Sequence, residues 1–196
     1  MLSAKVEEIF EANGGVLRLE QAPAFGYSKE AIRKMFHRGD LEKVHAGVYI
    51  RTDDLPDSWV LNQSVYPKGI ISHESAAGLY GLIRFTPSEM ILSFPQGYKL
   101  LKNPNVSLLP YFMSQEQYET GIEWVKTWEG NEVRAYNQEK TLIDLARSRY
   151  TLPLIFEEAV EGYLAFGNRD FDRLIRYAEQ FGVKEKIEKE VLALAQ

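Results

Sequence analysis

A chain of 196 residues with 45% hydrophobic content is long enough to bury cores in two modest domains, and its lack of cysteine excludes disulfides, thiolate catalysis and thiolate zinc sites. The formal net charge of -5 excludes a uniformly basic, nucleic-acid-coating surface. The sequence carries no apolar run of membrane-spanning length and no signal-peptide pattern in residues 1–5, so a cytoplasmic location without membrane attachment is expected. His37, His45 and His73 are scattered along the chain, and no metal or other cofactor is expected.

Residues 3–13 read as an amphipathic helix with Val6, Ile9 and Phe10 on its apolar side, stopped by Gly14-Gly15. Residues 17–51 then read as a short helix, a tight turn at Phe25-Gly26-Tyr27, a second basic helix and a small β-hairpin turning at Gly47. That succession predicts a winged helix-turn-helix over residues 1–51, whose partner is double-stranded DNA.

The second helix, residues 28–38, carries most of the inference. Ser28 is a good N-cap and Gly39 a good stop. At about 100° per residue, Ala31, Ile32, Met35 and Phe36 share one side, while Glu30, Arg33, Lys34 and His37 share the other. One side packs on the domain and the other enters a major groove. The candidate DNA contacts are therefore Ser28 at the helix start, Lys29 and Arg38 toward phosphates, and Arg33, Lys34 and His37 toward base edges or nearby phosphates. Lys43, His45 and Arg51 sit on or beside the wing, where a cation meets the backbone. A surface helix with ordinary solvated charges has the same pattern, and what tips the balance is the hairpin that follows.

The acidic total conceals an uneven distribution. Residues 1–51 hold 8 Lys+Arg against 7 Asp+Glu, and residues 26–51 hold 6 against 3. Phosphate attraction depends on the field within a Debye length, roughly 8–10 Å in ordinary salt. The patch is local and modest, so a chain that is monomeric in solution is expected to bind weakly alone and better as two copies on a repeated site.

Residues 52–56 read as a linker to a second domain, 57–196, of α+β class. Asp57 caps a helix reaching about residue 66, and Ser72 caps a short helix whose Ala76, Ala77 and Gly78 allow close packing. Strands are predicted at residues 90–94, 106–112, 122–128 and 132–136, making a small sheet. A C-terminal helical group follows at 138–149, 152–166, 171–181 (capped by Asp170) and 184–195, the last with Val183, Ile187, Val191 and Leu194 inside.

Within this domain, Ser72-His73-Glu74-Ser75 suggests a nucleophile beside a base, but neighbours on one helical turn point about 100° apart and cannot all converge. Structural use is favoured, with Ser72 as a cap and His73 or Glu74 hydrogen-bonded. Glu139, Lys140 and Asp144 suggest a degenerate metal-dependent nuclease, yet Glu139 sits where the helix dipole stabilises an acid and Lys140 and Asp144 have the spacing of a surface ion pair. Trp124 and Trp128 fall on one face of a strand, where they can stack on a base, although core packing with Tyr111, Phe112 and Tyr136 is the favoured use.

Three segments in order, Gly39-Asp40-Leu41-Glu42-Lys43-Val44-His45-Ala46-Gly47-Val48-Tyr49, then residues 71–82 beginning Ile71-Ser72-His73-Glu74-Ser75-Ala76, then Tyr136-Asn137-Gln138-Glu139-Lys140-Thr141-Leu142-Ile143-Asp144, resemble the AbiEi antitoxins. These are the antitoxin and transcriptional-regulator half of the AbiE abortive-infection, type IV toxin-antitoxin systems. The resemblance implies a non-enzymatic protein with an N-terminal winged helix that represses its own operon through inverted repeats. It also implies a C-terminal domain that counters a nucleotidyltransferase-like toxin without a stable complex. Ser72, His73, Glu74, Glu139, Lys140 and Asp144 are the candidate residues of that antitoxin domain. Direct sequestration of a toxin by a protein-interaction module, and nuclease activity, are the alternatives.

Overall fold

The computed structural model describes residues 2–85, 87–101, 103–104, 106–166 and 168–194. The chain divides into two compact units. The first comprises Met1–Lys68, Leu101–Val106 and Lys126–Val133, and the second comprises Gly69–Leu100, Ser107–Val125 and Arg134–Gln196.

The first unit opens with α1 (Ala4–Glu11), whose Val6, Ile9 and Phe10 make one buried stripe at the spacing a helix demands. Gly15 takes a positive φ and its amide donates to the Phe10 carbonyl at 2.7 Å, which closes the helix. There follow β1 (Val16–Arg18), a single 3-10 turn at Ala22–Phe25, α2 (Lys29–His37), the hairpin strands β2 (Leu41–His45) and β3 (Val48–Arg51), and α3 (Ser58–Val65). The short helix expected after Leu17 is thus that one 3-10 turn, preceded by a strand pairing Val16, Leu17 and Arg18 with Ile50, Tyr49 and Val48. Three residues are too few to display a two-residue period, so β1 carries no signature in the sequence.

The order β1-β3-β2 places β3 in the middle, and Val48, Tyr49 and Ile50 are all buried. The core of this unit joins Val6, Ile9 and Phe10 to Leu17, Ala22, Ile32, Leu41 and Tyr49. Two segments distant in sequence complete it. Asp57 caps α3 through Oδ1, which accepts from the Trp59 amide at 2.9 Å, while its Oδ2 accepts from Thr127 Oγ1 at 2.5 Å and Asn131 Nδ2 at 2.9 Å. Asn103, also buried, accounts for the second.

The second unit contains β4 (Ile70–Ile71), α4 (His73–Leu79), β5 (Met90–Pro95), β6 (Leu108–Met113), α5 (Gln115–Glu119), β7 (Ile122–Lys126), β8 (Glu132–Tyr136), α6 (Gln138–Arg147), α7 (Pro153–Phe166), α8 (Phe171–Gln180) and α9 (Lys184–Leu194). The sheet order is β6-β5-β4-β8-β7, with β4 antiparallel to β5 and parallel to β8, and β5 parallel to β6. This is the α+β class expected, a small sheet followed by a helical group. The expected strand at 106–112 begins at Leu108, and the one at 122–128 stops at Lys126, where the Thr127 amide donates to the Asn131 carbonyl at 2.7 Å and turns the chain. The helix expected to reach residue 149 ends at Arg147 because Ser148 is extended. Asp170 caps α8 as expected, its Oδ1 accepting from the Arg173 amide at 2.9 Å. In α9, Ile187 and Val191 are buried and Val183 packs beside them, while the expected end at Ala195 and the Leu194 side chain lie outside the described residues.

Two aromatic expectations are corrected. Trp124 is 68% exposed and Trp128 66% exposed, so neither is a core residue. Trp124 lies on the edge strand β7, and Trp128 lies past its end in the turn, its ring edge-on to the buried Trp59 at 5.9 Å. Of the expected companions, Tyr136 is buried with Met113 and Tyr118, Tyr111 is half-buried and Phe112 is largely exposed.

Candidate nucleic-acid interface

Helix α2 is fixed by its ends and by one face. Ser28 Oγ accepts from the Ala31 amide at 3.1 Å, Gly39 stops the helix at positive φ, and Ile32 is buried with Met35 and Phe36 packed beside it. Phe36 meets the Tyr49 ring edge-on at 5.9 Å, which ties the helix to the central strand of the hairpin sheet. Anchoring that face leaves Lys29, Arg33, Lys34, His37 and Arg38 exposed together on the other. Arg33 lies 3.6 Å from Glu30, one helical turn away and itself exposed, a pair of little net strength that a phosphate can displace. Arg38 is held by Asp40, Nε donating to Oδ2 at 2.7 Å, and this hydrogen bond keeps the Asp40 carboxyl below its ordinary pKa.

The hairpin presents the rest. In β2 the register against β3 shifts between Lys43 and His45, so Val44 is an extra residue. That bulge breaks the two-residue alternation: Leu41 and Val44, three apart, are both buried, while Glu42 and Lys43 are exposed. His45 is half-buried, with Nδ1 3.1 Å from Asn103 Nδ2. Arg51, like Arg33 and Arg38, lies beside the protein's own carboxylates, but it is half-buried where those two are exposed. Its Nε donates to Asp54 Oδ2 at 2.9 Å and its Nη1 lies 3.9 Å from Glu11, so its charge is met by the protein's own carboxylates.

The second-unit candidates fall into separate groups, buried except at the half-buried Glu74. Ser72 Oγ accepts from Ser93 Oγ at 2.8 Å and lies 3.0 Å from His73 Nδ1, and the His73 ring stacks on Tyr111 at 3.7 Å. Ser72 and His73 meet without Glu74, because Ser72 is extended and His73 has φ 50, a backbone outside the helical geometry assumed. The Ser72 hydroxyl is also not a side-chain cap; it is spent on Ser93 and His73. Burial lowers the His73 pKa, against the opposing pull of Asp144 and Glu74. Lys140 Nζ donates to Asp144 Oδ1 at 2.6 Å beneath the rings of Tyr136 and Phe181. This pair has the spacing expected but is fully buried instead of on the surface, since the rings and α4 cover that side of α6; burial lowers the Lys140 pKa.

Glu139, also buried, belongs to a separate network. Its Oε1 accepts from Tyr163 Oη at 2.9 Å and its Oε2 lies 2.8 Å from Arg173 Nε. Glu74 accepts from Thr151 Oγ1 at 2.6 Å. Glu139 and Asp144 are each matched to a different cation and do not converge on one point. Among the described residues no group of three or more His, Asp or Glu is arranged to hold a metal ion, and no helix is long and apolar enough to cross a membrane.

Residues 5–52 match the family described as "Transcriptional regulator, AbiEi antitoxin". Over that range the chain is similar to the AbiEi antitoxin and transcriptional-regulator family. The matched range runs from α1 to just past β3, and therefore contains every exposed cation of α2 and the hairpin. The fold of the chain is similar to that of the RV2827C protein from Mycobacterium tuberculosis, with a TM-score of 0.56 over 96% of this chain and 80% of that one, at 13% sequence identity. At that identity the likeness concerns fold alone. No curated protein matches the chain. Sequence reasoning missed Asn103 and the bonds of Asp57 beyond its cap: each joins parts of the first unit to residues far along the chain, and only the Asn-Pro turn at 103–104 hints that the first is special.

Proposed function

We propose that the chain is the antitoxin and DNA-binding autorepressor of a type IV, AbiE-like toxin-antitoxin operon, and that residues 1–51 act as a winged helix-turn-helix. The observation that carries this reading is the division of α2 into a face packed on the core at Ile32 and a face carrying Lys29, Arg33, Lys34, His37 and Arg38 in solvent. In this reading α2 enters the major groove and Arg33, Lys34 and His37 read base edges or adjacent phosphates. Ser28, Lys29, Arg38, Lys43 and His45 hold the backbone, and Arg51 contributes least because Asp54 and Glu11 already meet it.

Two monomers on inverted half-sites block transcription in the cytoplasm. The domain of residues 57–196 counters a nucleotidyltransferase-like toxin, and its buried Ser72, His73, Glu139, Lys140 and Asp144, with the half-buried Glu74, support that role by holding the fold. In a gel-shift assay with the DNA upstream of its own gene, the double variant Arg33→Ala, Lys34→Ala is expected to lose the specific shift while its circular dichroism is unchanged. Unchanged binding rejects the assignment of α2. Direct sequestration of the toxin draws support from the exposed run of Tyr150, Leu152 and Leu154. A stable complex on co-purification with the neighbouring gene product would select that mode over action without one.

A further inference from the structure

Asn103 reaches the hairpin from a loop more than fifty residues downstream of it, and its amide settles a question of proton placement on the wing. The side chain is buried; its backbone N–H donates to Tyr66 Oη at 3.2 Å, and its Nδ2 lies 3.1 Å from both the Val44 carbonyl oxygen and His45 Nδ1. A carbonyl oxygen only accepts, so the Asn103 atom facing Val44 is the NH2 group; the reverse orientation would set two acceptors against one another. One amide hydrogen goes to Val44 and the other to His45. The Nδ1 that meets it must then supply a lone pair. An imidazole with a bare Nδ1 is neutral and carries its proton on Nε2.

We propose that Asn103 is a positioning residue for the DNA-binding wing: it holds His45 as the neutral Nε2–H tautomer, so that the half-buried imidazole offers one N–H donor to a DNA phosphate. The first step is independent of function; the second rests on the DNA-binding reading above. The bulge at Val44 contributes to both, because it sends the Val44 side chain into the core and leaves its carbonyl oxygen and the His45 ring within reach of the same amide. Asn103 has no charge and touches no DNA in this scheme. Its effect passes entirely through His45.

The test has two arms on the full-length chain. Long-range proton-nitrogen spectra of protein labelled with 15N-histidine, recorded without DNA, are expected to show His45 with a bare Nδ1 and a protonated Nε2, and Asn103→Ala is expected to let the two tautomers mix. A protonated Nδ1 in the unvaried chain overturns the proposal. For the second arm, binding to a duplex of the DNA upstream of its own gene is compared for His45→Gln, whose amide nitrogen falls near the Nε2 position, and His45→Asn, whose amide falls near Nδ1. His45→Gln is expected to bind more tightly than His45→Asn, and His45→Asn and Asn103→Ala about tenfold more weakly than the unvaried chain, the scale of one hydrogen bond to a charged group. Because both His45 variants keep Asn103 and its bonds to Val44 and Tyr66, the comparison stands even if Asn103→Ala loosens the loop. Equal binding by His45→Gln and His45→Asn overturns the phosphate contact. Failure of the unvaried chain to shift any DNA refutes the DNA-binding reading instead, and the tautomer is then decided by the spectrum.

Discussion

His73 is buried where an imidazolium would be costly, and desolvation holds its pKa below the ordinary histidine value although Asp144 and Glu74 pull the other way and Lys140 and Arg147 oppose them. The unfolded chain has no such restraint. Below about pH 6.5 it takes up a proton that the folded His73 refuses, so protons favour unfolding and stability falls with pH by up to about 1.4 kcal/mol per unit from this residue. His73→Asn keeps a residue type that tolerates a positive φ but does not titrate. In urea denaturation the variant is expected to be less stable than the unvaried chain at neutral pH, having lost the Tyr111 stack, and the gap is expected to narrow on acidification. A gap that stays constant from about pH 7.5 to about pH 5 contradicts this linkage.

The same residue marks where sequence reading stops. The Ser-His pair is visible in the sequence, but its convergence depends on a left-handed backbone at a residue that is not glycine, which no local pattern announces. Lys140 and Asp144 divide in the same way: their i,i+4 spacing is legible, and their burial is not, because Phe181 comes from a distant element to cover them.

At the scale of elements, α2 was legible because everything that makes it is local: the Ser28 cap, the Gly39 stop and a clean 3.6-residue period. β4, two residues long, and α5, five residues long, are too short to show a period, and they exist because the surrounding sheet and core select them. Helix α7 shows how packing overrides propensity. Gly162 lies mid-helix, where alanine would normally be favoured by about 1 kcal/mol. Here an added Cβ would stand 2.4 Å from the Leu82 carbonyl oxygen and 2.7 Å from the Leu82 Cα, both backbone atoms that cannot swing aside. Gly162→Ala is therefore expected to lower the unfolding midpoint, by an overpacking cost of about 1–3 kcal/mol. A midpoint unchanged or raised would mean that α7 does not approach Leu82 so closely.

On the scale of the whole molecule, the order of predicted strands and helices pointed to the α+β class and the local pattern marked out the N-terminal segment, but neither announced that the first unit is assembled from three stretches of chain. Residues 1–68 hold α1 to α3 and their core, yet three buried polar groups there take partners from outside that stretch. The Asp57 carboxylate takes Thr127 and Asn131, and the Val44 carbonyl and Tyr66 hydroxyl take Asn103. Removing a partner from a buried polar group costs about 1–3 kcal/mol each, more where the group is charged, and a unit of this size has a total stability of only about 3–10 kcal/mol. A fragment of residues 1–68 is thus expected to unfold at markedly lower urea than the full chain and to shift the same DNA more weakly, although it retains every cation of α2 and the hairpin. Supplying residues 101–106 and 126–133 as free peptides should restore little, since their effective concentration in the intact chain is set by covalent connection. If the isolated fragment instead melts and binds as the full chain does, the long-range bonds of Asp57 and Asn103 contribute nothing to the stability of the regulator segment, and that segment folds alone.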